Sequence, residues 1–307
     1  MKANCFLTLG LLAALLAGCA DPPAHNSPWA HASPSPGLAT QPGASSRPAI
    51  GFDELAKLLP GTVDEQGVID PTALAIHLPR LERQLALLAQ PWPAEIAREG
   101  TGGDERLAWL YNARAAWSLR IVATELAPRP RQPDLFVLPA TIRVRKLLEQ
   151  PITLNGQTTT LAAIDRELAR DKDFRLAAAA PCATDFFGRL PREPFTGLTV
   201  RATAARRFRD YLHDPNRVVV DHDYKRLRVP PALWQFVPPI LADYDQRYAS
   251  RGVQPASALA EFANVPDRQR LKDATGYPAV ERQTEAGIVA RQARELPIAN
   301  FRSLLSR

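Results

Sequence analysis

The stretch that most constrains the fold of this chain is residues 107–126, LAWLYNARAAWSLRIVATEL. Its large apolar side chains recur at steps of three and four residues, and alanines widen the stripe, which is the period of a buried α-helix. Asp104 and Glu105 precede the stretch, where carboxylates complement the positive end of a helix dipole, and Pro128 follows it, where proline ends the hydrogen-bond ladder. The pattern therefore predicts a long helix around which the other elements pack.

Three polar side chains, Asn112, Arg114 and Arg120, interrupt the apolar face of this predicted helix. A polar group inside a core needs a hydrogen-bond partner, because an unpaired one costs about 1–3 kcal/mol. Internal partners would make Asn112 and Arg114 structural residues. Alternatively, these side chains line a cleft beside the helix, where they would meet a ligand.

Other patterns predict the elements on either side of this helix. A second helix should cover residues 70–88, with Asp70 as its cap and Pro71 at its first position, while Pro79 should bend or break it. The segment ITLNGQTTT at 152–160 predicts a β-hairpin, because an Asn-Gly pair suits a two-residue turn with positive φ angles.

The second half of the chain mixes both element types. Thr160 should cap a helix that begins at residue 161. The remaining predicted elements are a buried strand over 174–180, a helix over 199–213, strands over 217–220 and 227–229, and a helix over 234–248. This mixture predicts an α+β fold, with helices packed on a small, mainly antiparallel sheet.

Length and composition suit a single folded domain with appendages, because the chain has 307 residues of which 46% are hydrophobic. We predict a leader over 1–18, a tether rich in proline, serine and alanine over 19–49, the folded domain over 50–250 and a helical C-terminal appendix over 251–307. The net charge of +6 comes from scattered arginines. Since no basic tract with interleaved aromatic residues is present in the sequence, nucleic acid is not an expected partner.

The first 19 residues, MKANCFLTLGLLAALLAGC, combine an early lysine, an apolar run and small residues before a cysteine. The ending Leu16-Ala17-Gly18-Cys19 resembles the lipobox of bacterial lipoproteins, which implies that Cys19 becomes an acylated N-terminus. The apolar run is too short for a membrane span, so the membrane would be reached through the lipid on Cys19. Ala20 replaces the aspartate that marks inner-membrane retention in such lipoproteins, which implies the outer membrane, facing the periplasm.

Cysteine usage leaves one free thiol in the predicted mature protein. Cys5 leaves with the leader and Cys19 carries lipid, so Cys182 remains alone and no internal disulfide is expected. In an oxidising compartment such a thiol is either buried and inert or exposed for a reason.

A papain-like hydrolase is the alternative function that the sequence leaves open. Cys182 would be the nucleophile, His213 or His222 the base, and Asn216 or Asp221 the orienting group, in the chain order that such enzymes use. The residues also have structural interpretations: Cys182 as a small core residue, His213 at the end of a helix and His222 in a tight turn. No metal site or cofactor is predicted, because adjacent residues in the turn around His222 point to different sides.

The order of these pieces resembles the family catalogued as domain of unknown function 547, over roughly residues 68–248. Residues 109–113 (WLYNA) match its first helical motif, residues 161–166 (LAAIDR) its second, and residues 181–183 (PCA) its cysteine loop. The resemblance implies the α+β fold but no established activity. Arg166 stands where the family has a histidine, and a guanidinium stays protonated, so it cannot act as a general base.

The preferred hypothesis is therefore a lipid-anchored, non-catalytic binding or interaction module of the cell envelope, taking an envelope protein or a cell-wall ligand as partner. Asn112, Arg114, Asp165 and Arg166 are the polar groups predicted to face its cleft, and a guanidinium would suit a carboxylate or phosphate ligand. An internal ion pair between Arg114 and Asp165 remains the alternative. A third hypothesis is a structural lipoprotein whose surface docks another envelope protein.

Overall fold

The computed structural model describes residues 51–100, 102–126, 141–171, 173–185, 187–249, 252–281 and 285–290. All of these belong to one compact unit. The predicted leader, the lipidation site Cys19, the tether and the last part of the predicted appendix lie outside the described residues.

The described chain is an α+β domain, as predicted, in which helices predominate and the sheets are small. The helices are α1 Asp53–Thr62, α2 Pro71–Leu88, α3 Ala94–Arg98, α4 Asp104–Leu126, α5 Val144–Glu149, α6 Leu161–Leu168, α7 Arg175–Ala178, α8 Val200–His213, α9 Pro231–Trp234, α10 Val237–Tyr248, α11 Pro255–Ala260 and α12 Val265–Lys272. The strands are β1 Thr141–Arg143, β2 Ile152–Leu154, β3 Gln157–Thr159, β4 Val219–Asp221, β5 Arg226–Val229, β6 Ala279–Glu281 and β7 Glu285–Gly287.

The long helix α4 is the centre of the fold, which confirms the strongest prediction from the sequence. Every residue from 107 to 116 is buried, so this part of the helix is enclosed on all sides. Helices α2, α3, α6 and α8 pack against it. A helix that is surrounded in this way has no solvent face on which a polar side chain can lie, so its polar residues must find partners inside the domain.

Helix α2 begins as predicted but does not break. The Asp70 carboxylate accepts hydrogen bonds from the backbone N–H groups of Thr72 and Ala73, at 2.9 and 3.0 Å, and Pro71 occupies the first turn. The helix then continues through Pro79 to Leu88, so of the predicted bend or break the break does not occur. Burial of its apolar face against α1 and α4 offsets the hydrogen bond that proline removes.

The β2–β3 hairpin is confirmed, with antiparallel pairing and positive φ angles at Asn155 and Gly156. The N–H groups of this turn donate to the carbonyls of Leu88 and Ala89, at 2.9 and 2.8 Å, and so satisfy the C-terminal end of α2. Thr160 then caps α6 by accepting from the N–H of Ala163.

The predicted strand over 174–180 is wrong, because residues Arg175–Ala178 form the short helix α7. A run of alanines favours a helix, and nothing in its apolar pattern distinguishes a buried strand from a buried helical turn. The strand pair β4–β5 is confirmed as antiparallel. The helix predicted over 234–248 is interrupted before Val237, where α10 starts with prolines in its first turn.

The segment after residue 251 supplies strands as well as helices. Strand β6 pairs in parallel with β5, and β7 pairs antiparallel with β1, while the other described strand pairs are antiparallel. Helix α11 buries Ala256, Ala258 and Leu259 in the common core. This part of the chain is therefore more closely integrated than its weak sequence pattern indicated.

Candidate functional site

The buried centre of the molecule is an ion pair between α4 and α6. The Nε atom of Arg114 lies 2.6 Å from Oδ1 of Asp165, and its Nη2 atom lies 3.1 Å from Oδ2, a bidentate arrangement. The Arg114 side chain is 0% exposed and that of Asp165 is 8% exposed. Of the two interpretations of these residues, the internal ion pair is confirmed.

The third nitrogen of the Arg114 guanidinium holds the loop that follows α7. Its Nη1 atom donates to the carbonyl oxygens of Pro181 and Ala180. Burial acts to lower the pKa of Arg114, but the neighbouring Asp165 carboxylate and Cys182 together outweigh burial and leave the pKa above its ordinary value. Since its described contacts use all of its nitrogens, the guanidinium presents no free fork to a ligand.

Asn112 is also engaged inside the domain. Its side-chain amide donates to the carbonyl of Phe195 at 2.9 Å, and its side-chain oxygen accepts from the N–H of the same residue at 2.8 Å. The space between Asn112, Trp109 and Phe195 has no volume for a water molecule. The structure therefore brings Asn112 into packing contact with the loop before α8 rather than into a cleft.

Arg166 lies apart from the other three predicted ligand-binding residues. Its side chain is exposed, whereas Asp165 is buried, because neighbouring helix positions point about 100° apart. The predicted constellation of Asn112, Arg114, Asp165 and Arg166 does not form one ligand-facing surface. The physical reason is that α4 is enclosed where its polar residues lie.

Cys182 is 1% exposed and lies in the middle of the core rather than at the mouth of a groove. Its sulfur accepts a hydrogen bond from the Thr184 hydroxyl at 3.8 Å and lies beside the Arg114 guanidinium. Its backbone N–H donates to the carbonyl of Gly188 at 2.7 Å. A side chain at Gly188 would collide with the backbone of Ala179, whose oxygen lies only 2.1 Å from the position of a Cβ, so this loop closes only with glycine there.

The predicted partners of the thiol have other partners. His213 is exposed and bonds through Nδ1 to the buried Oδ2 of Asp267, at 2.5 Å. The side chain of Asn216 is exposed, and the backbone N–H of Asn216 donates to the Asp214 carboxylate. This placement speaks against a catalytic Cys182–His213–Asn216 triad, because a buried sulfur and a solvent-facing imidazole do not meet a common substrate.

The second candidate base, His222, is also exposed and has another partner. His222 is exposed at the β4–β5 turn, and its Nδ1 atom lies 3.2 Å from the Tyr277 hydroxyl. Asp221 pairs with Arg228 and accepts from the N–H of Tyr224. Within the described residues no cluster of three or more histidine, cysteine, aspartate or glutamate side chains suits a metal ion.

An open polar groove of about 380 Å³ lies where α1 turns into α2. Two of its carboxylates are held by backbone contacts, since Asp64 accepts from the N–H groups of Gln66 and Val68 and Asp70 caps α2. Arg192 forms the opposite wall and lies 3.3 Å from Glu65. The lining residues are Pro60, Gly61, Thr62, Val63, Asp64, Glu65, Gln66, Val68, Asp70 and Arg192.

The sequence did not point to this groove. The signal was present as Asp64-Glu65-Gln66-Gly67, a turn-forming composition between two helices. The contribution of Arg192 comes from a distant part of the chain, and no local pattern marks it.

Three buried or half-buried arginines hold the loop around Cys182, and sequence reasoning missed two of them. We call this loop, residues 181–185 with 187–189, the thiol loop. Besides Arg114, Arg217 donates to the carbonyl of Phe187 at 3.0 Å and Arg207 donates to that of Arg189. Burial lowers the pKa of Arg207 to about 10. Arg207 lies on α8 and packs over the ring of Phe195.

No known family, curated protein or solved structure matches this chain. In the described part of the chain, none of the helices combines the length and the hydropathy that a membrane span requires.

Proposed function

We propose that this protein is a lipid-anchored envelope protein whose α+β domain is a non-catalytic binding or interaction module. One observation supports the non-catalytic part of this proposal: the side chains that could bind or attack a substrate already contact other groups inside the domain. Arg114 and Asp165 pair with each other, and Cys182 is 1% exposed. A nucleophile needs access to its substrate, and an arginine recognises an anion only with a free fork.

We also propose that the domain is a divergent relative of the family catalogued as domain of unknown function 547. The order of elements supports this: α4 carries residues 109–113, α6 carries residues 161–166, and the hairpin β2–β3 lies between them. The cysteine loop follows the short helix α7, where the sequence predicted a strand.

The lipid anchor rests on the sequence Leu16-Ala17-Gly18-Cys19 and is tested by metabolic labelling with a clickable palmitate analogue. We expect wild type to be labelled and to fractionate with membranes, and a Cys19→Ser variant to lose both properties. Cys5→Ser is the matched control, because it removes a cysteine from the same leader and should leave labelling unchanged. Equal labelling of wild type and Cys19→Ser would contradict the anchor.

For the binding module, the open groove beside Arg192 replaces the cleft beside α4 as the candidate ligand surface. Its carboxylates and its arginine would suit a ligand that carries both amino and carboxylate groups, as cell-wall peptides do. We expect soluble peptidoglycan fragments to raise the melting temperature of wild type and to have a smaller effect on Arg192→Ala. The control Arg166→Ala, an exposed arginine away from the groove, should respond like wild type.

A hydrolytic activity is the outcome that would overturn the non-catalytic assignment. Ester, thioester and peptide substrates should be turned over no faster by wild type than by Cys182→Ala. An activity that disappears in Cys182→Ala but persists in Cys5→Ser would establish the alternative, a cysteine-dependent hydrolase.

A further inference from the structure

Residues 60–70, where α1 turns into α2, supply every lining residue of the open groove except Arg192, and their backbone pairs like a short hairpin. Val63 lies opposite Ile69 in an antiparallel bridge, and both side chains are buried in the core. Beside this bridge, the N–H of Asp70 donates to the carbonyl of Thr62 at 2.8 Å. Neighbouring residues of an extended chain point to opposite sides, so Thr62 and Asp70 project away from the core, where both line the groove.

This turn is fixed in place by its neighbours on two sides. Gly67 has a φ of 74°, and a Cβ there would lie 2.7 Å from the Cβ of Arg189 and 3.0 Å from the carbonyl oxygen of Leu190. From another direction, the N–H of Ile69 donates to the carbonyl of Val289 at 2.9 Å. The groove is therefore preformed, and a ligand does not have to order it on binding.

The Thr62 hydroxyl is a buried polar group without a partner. Thr62 is 1% exposed, and its Oγ1 atom makes no hydrogen bond to any residue that the structure describes. A threonine in a helix ordinarily bonds to a carbonyl one turn earlier, and an unpaired buried hydroxyl is costly. Because it breaks no described bond when it turns toward a ligand, this hydroxyl marks a place where the partner comes from outside the domain.

Asp70 keeps one carboxylate oxygen available on the same side of the turn. Its Oδ1 atom accepts from the N–H groups of Thr72 and Ala73, whereas within the described ranges its Oδ2 atom accepts from none. The positive end of the α2 dipole, about half an elementary charge, offsets only part of the charge of the carboxylate. The site thus remains negative and offers an unused acceptor.

Asp70 is also the carboxylate of the groove that lacks a cation in the described part of the chain. Glu65 lies 3.3 Å from Arg192. Burial lowers the pKa of Arg189, and the nearby Asp64 carboxylate acts against this effect, so Asp64 too has an arginine close by. The groove therefore has one place for a positive group of a ligand, next to Asp70 and Thr62.

A primary ammonium fits this place better than other cations do. It is a compact charge with three N–H donors and no acceptor, and the two facing atoms are acceptors. Side chains opposite each other in an antiparallel pair begin about 5 Å apart, so one nitrogen can contact both. A quaternary ammonium has no N–H to donate, and a guanidinium requires a coplanar pair of acceptors. The groove, at about 380 Å³, has the size of a small-molecule site.

We propose that the groove binds a primary ammonium group of its ligand between the Asp70 carboxylate and the Thr62 hydroxyl. This inference rests on the proposed binding module and names the chemical group that the module recognises, the free amine of a diamino compound. Arg192 on the opposite wall is not part of the ammonium site, so an amine that carries no carboxylate should still bind.

Calorimetric titration of the full chain with cadaverine, a diamine without a carboxylate, tests this inference. The buffer contains a chelator, so that no metal ion bridges the carboxylates. We expect cadaverine to bind wild type with a saturable isotherm, whereas N,N′-diacetylcadaverine, which has the same chain and no ammonium, should give no binding heat. Arg192→Ala should bind cadaverine at least as well as wild type does.

Two variants remove one half of the site each. Thr62→Val deletes the unpaired hydroxyl at nearly constant volume, so it should fold with at least wild-type stability. Asp70→Asn removes the charge but keeps a residue that caps helices equally well. We expect each variant to bind cadaverine about tenfold or more weakly. The matched controls are Thr153→Val, at an exposed position of β2, and Asp53→Asn, at the opposite end of α1, and both should bind like wild type.

Three results would overturn the ammonium site. Cadaverine and its diacetyl form could give the same heat, both Thr62→Val and Asp70→Asn could bind cadaverine like wild type, or Thr62→Val could be much less stable, which would mean that the hydroxyl is bonded inside the fold. Peptidoglycan fragments that still act through Arg192 in any of these cases would preserve the binding module without this site. If cadaverine binds as expected but the fragments have no effect, the ammonium site stands and the cell-wall ligand fails.

Discussion

Two contacts between a basic and an acidic side chain in this domain look alike in sequence and differ in the folded molecule. Arg114 pairs with Asp165 across 51 positions, and His213 pairs with Asp267 across 54 positions; each joins two helices. The Arg114 side chain is 0% exposed, whereas that of His213 is 65% exposed. Both carboxylates are 8% exposed, so the burial of the base and the further partners of the acid decide how much stability each base controls: His213 faces water and Asp267 also lies 3.5 Å from Arg270, whereas Arg114 is fully enclosed.

Removing Arg114 should produce the largest effect. Arg114→Met leaves the Asp165 carboxylate and the carbonyls of Ala180 and Pro181 without their donor, and we expect a loss of about 3–5 kcal/mol of unfolding free energy in urea titrations. Arg166→Met, at an exposed arginine on α6, is the matched control and should change stability by less than about 0.5 kcal/mol. Similar losses in the two variants would contradict the contrast between buried and exposed charge.

Asn112 extends the comparison to a neutral buried group. Asn112→Ala removes both hydrogen bonds to the Phe195 backbone and should cost about 2–3 kcal/mol, measured by thermal or chemical unfolding. The exposed Asn216 provides the control, since Asn216→Ala should stay within about 0.5 kcal/mol of wild type. If Asn112→Ala were neutral, the amide would not be fastening the loop before α8.

Arg201 tests an intermediate case through pH. Burial acts to raise the pKa of Asp171, but hydrogen bonds from Arg201 and from the backbone of Asp173 lower it below its ordinary value. The resulting stability is present above the unfolded-state pKa of about 3.9 and is lost as pH falls through the lower folded-state value. Arg201→Met should therefore be less stable than wild type by about 0.5–1 kcal/mol at pH 6, and this difference should shrink below about pH 4.

The control for this pH dependence is Arg206→Met, at an exposed arginine of the same helix. Its stability difference from wild type should not vary between pH 6 and pH 3, because Arg206 is not among the groups that lower the pKa of Asp171. A gap between Arg201→Met and wild type that widens toward acid would reverse the sign and refute the assignment.

The exposed pair should show the smallest effect. His213→Ala should lower stability by about 0.2–1 kcal/mol, because Asp267 keeps its contact with Arg270 at 3.5 Å and water takes the place of the exposed imidazole. In about 1 M salt, where the Debye length is about 3 Å, the difference should fall further, whereas the loss in Arg114→Met should persist. A salt-independent effect at His213 would place this pair in the same class as the buried one.

The central helix, the capped start of α2 and the Asn155–Gly156 hairpin were predictable because each has a local cause. Apolar periodicity, a side-chain cap and positive φ angles act within a few residues, so the sequence displays them directly. The alanine run before Cys182 lacks such a local signal. Four small residues carry no period that separates a strand from the helix α7.

The sequence predicted which polar residues lie at the candidate site but not whether they bind a ligand or each other. The sequence indicated that Arg114 lies on the central helix and that Asp165 lies near it, and it left open whether they face each other or a ligand. That choice depends on whether α6 and the thiol loop close over α4, which is a long-range packing outcome. The backbone contacts of Val289 with Ala183 and Ile69 likewise join segments more than a hundred positions apart, and no local pattern displays such contacts.

The internal ion pair is tested most directly by a double-mutant cycle on Arg114→Met and Asp165→Leu, with unfolding free energies from urea titrations. If the two side chains serve each other inside the core, the double variant should be more stable than Arg114→Met alone, with a coupling energy of about 2 kcal/mol or more. Losses that add to within about 0.5 kcal/mol would show that the two groups act independently, and the internal ion pair would no longer explain why they are there.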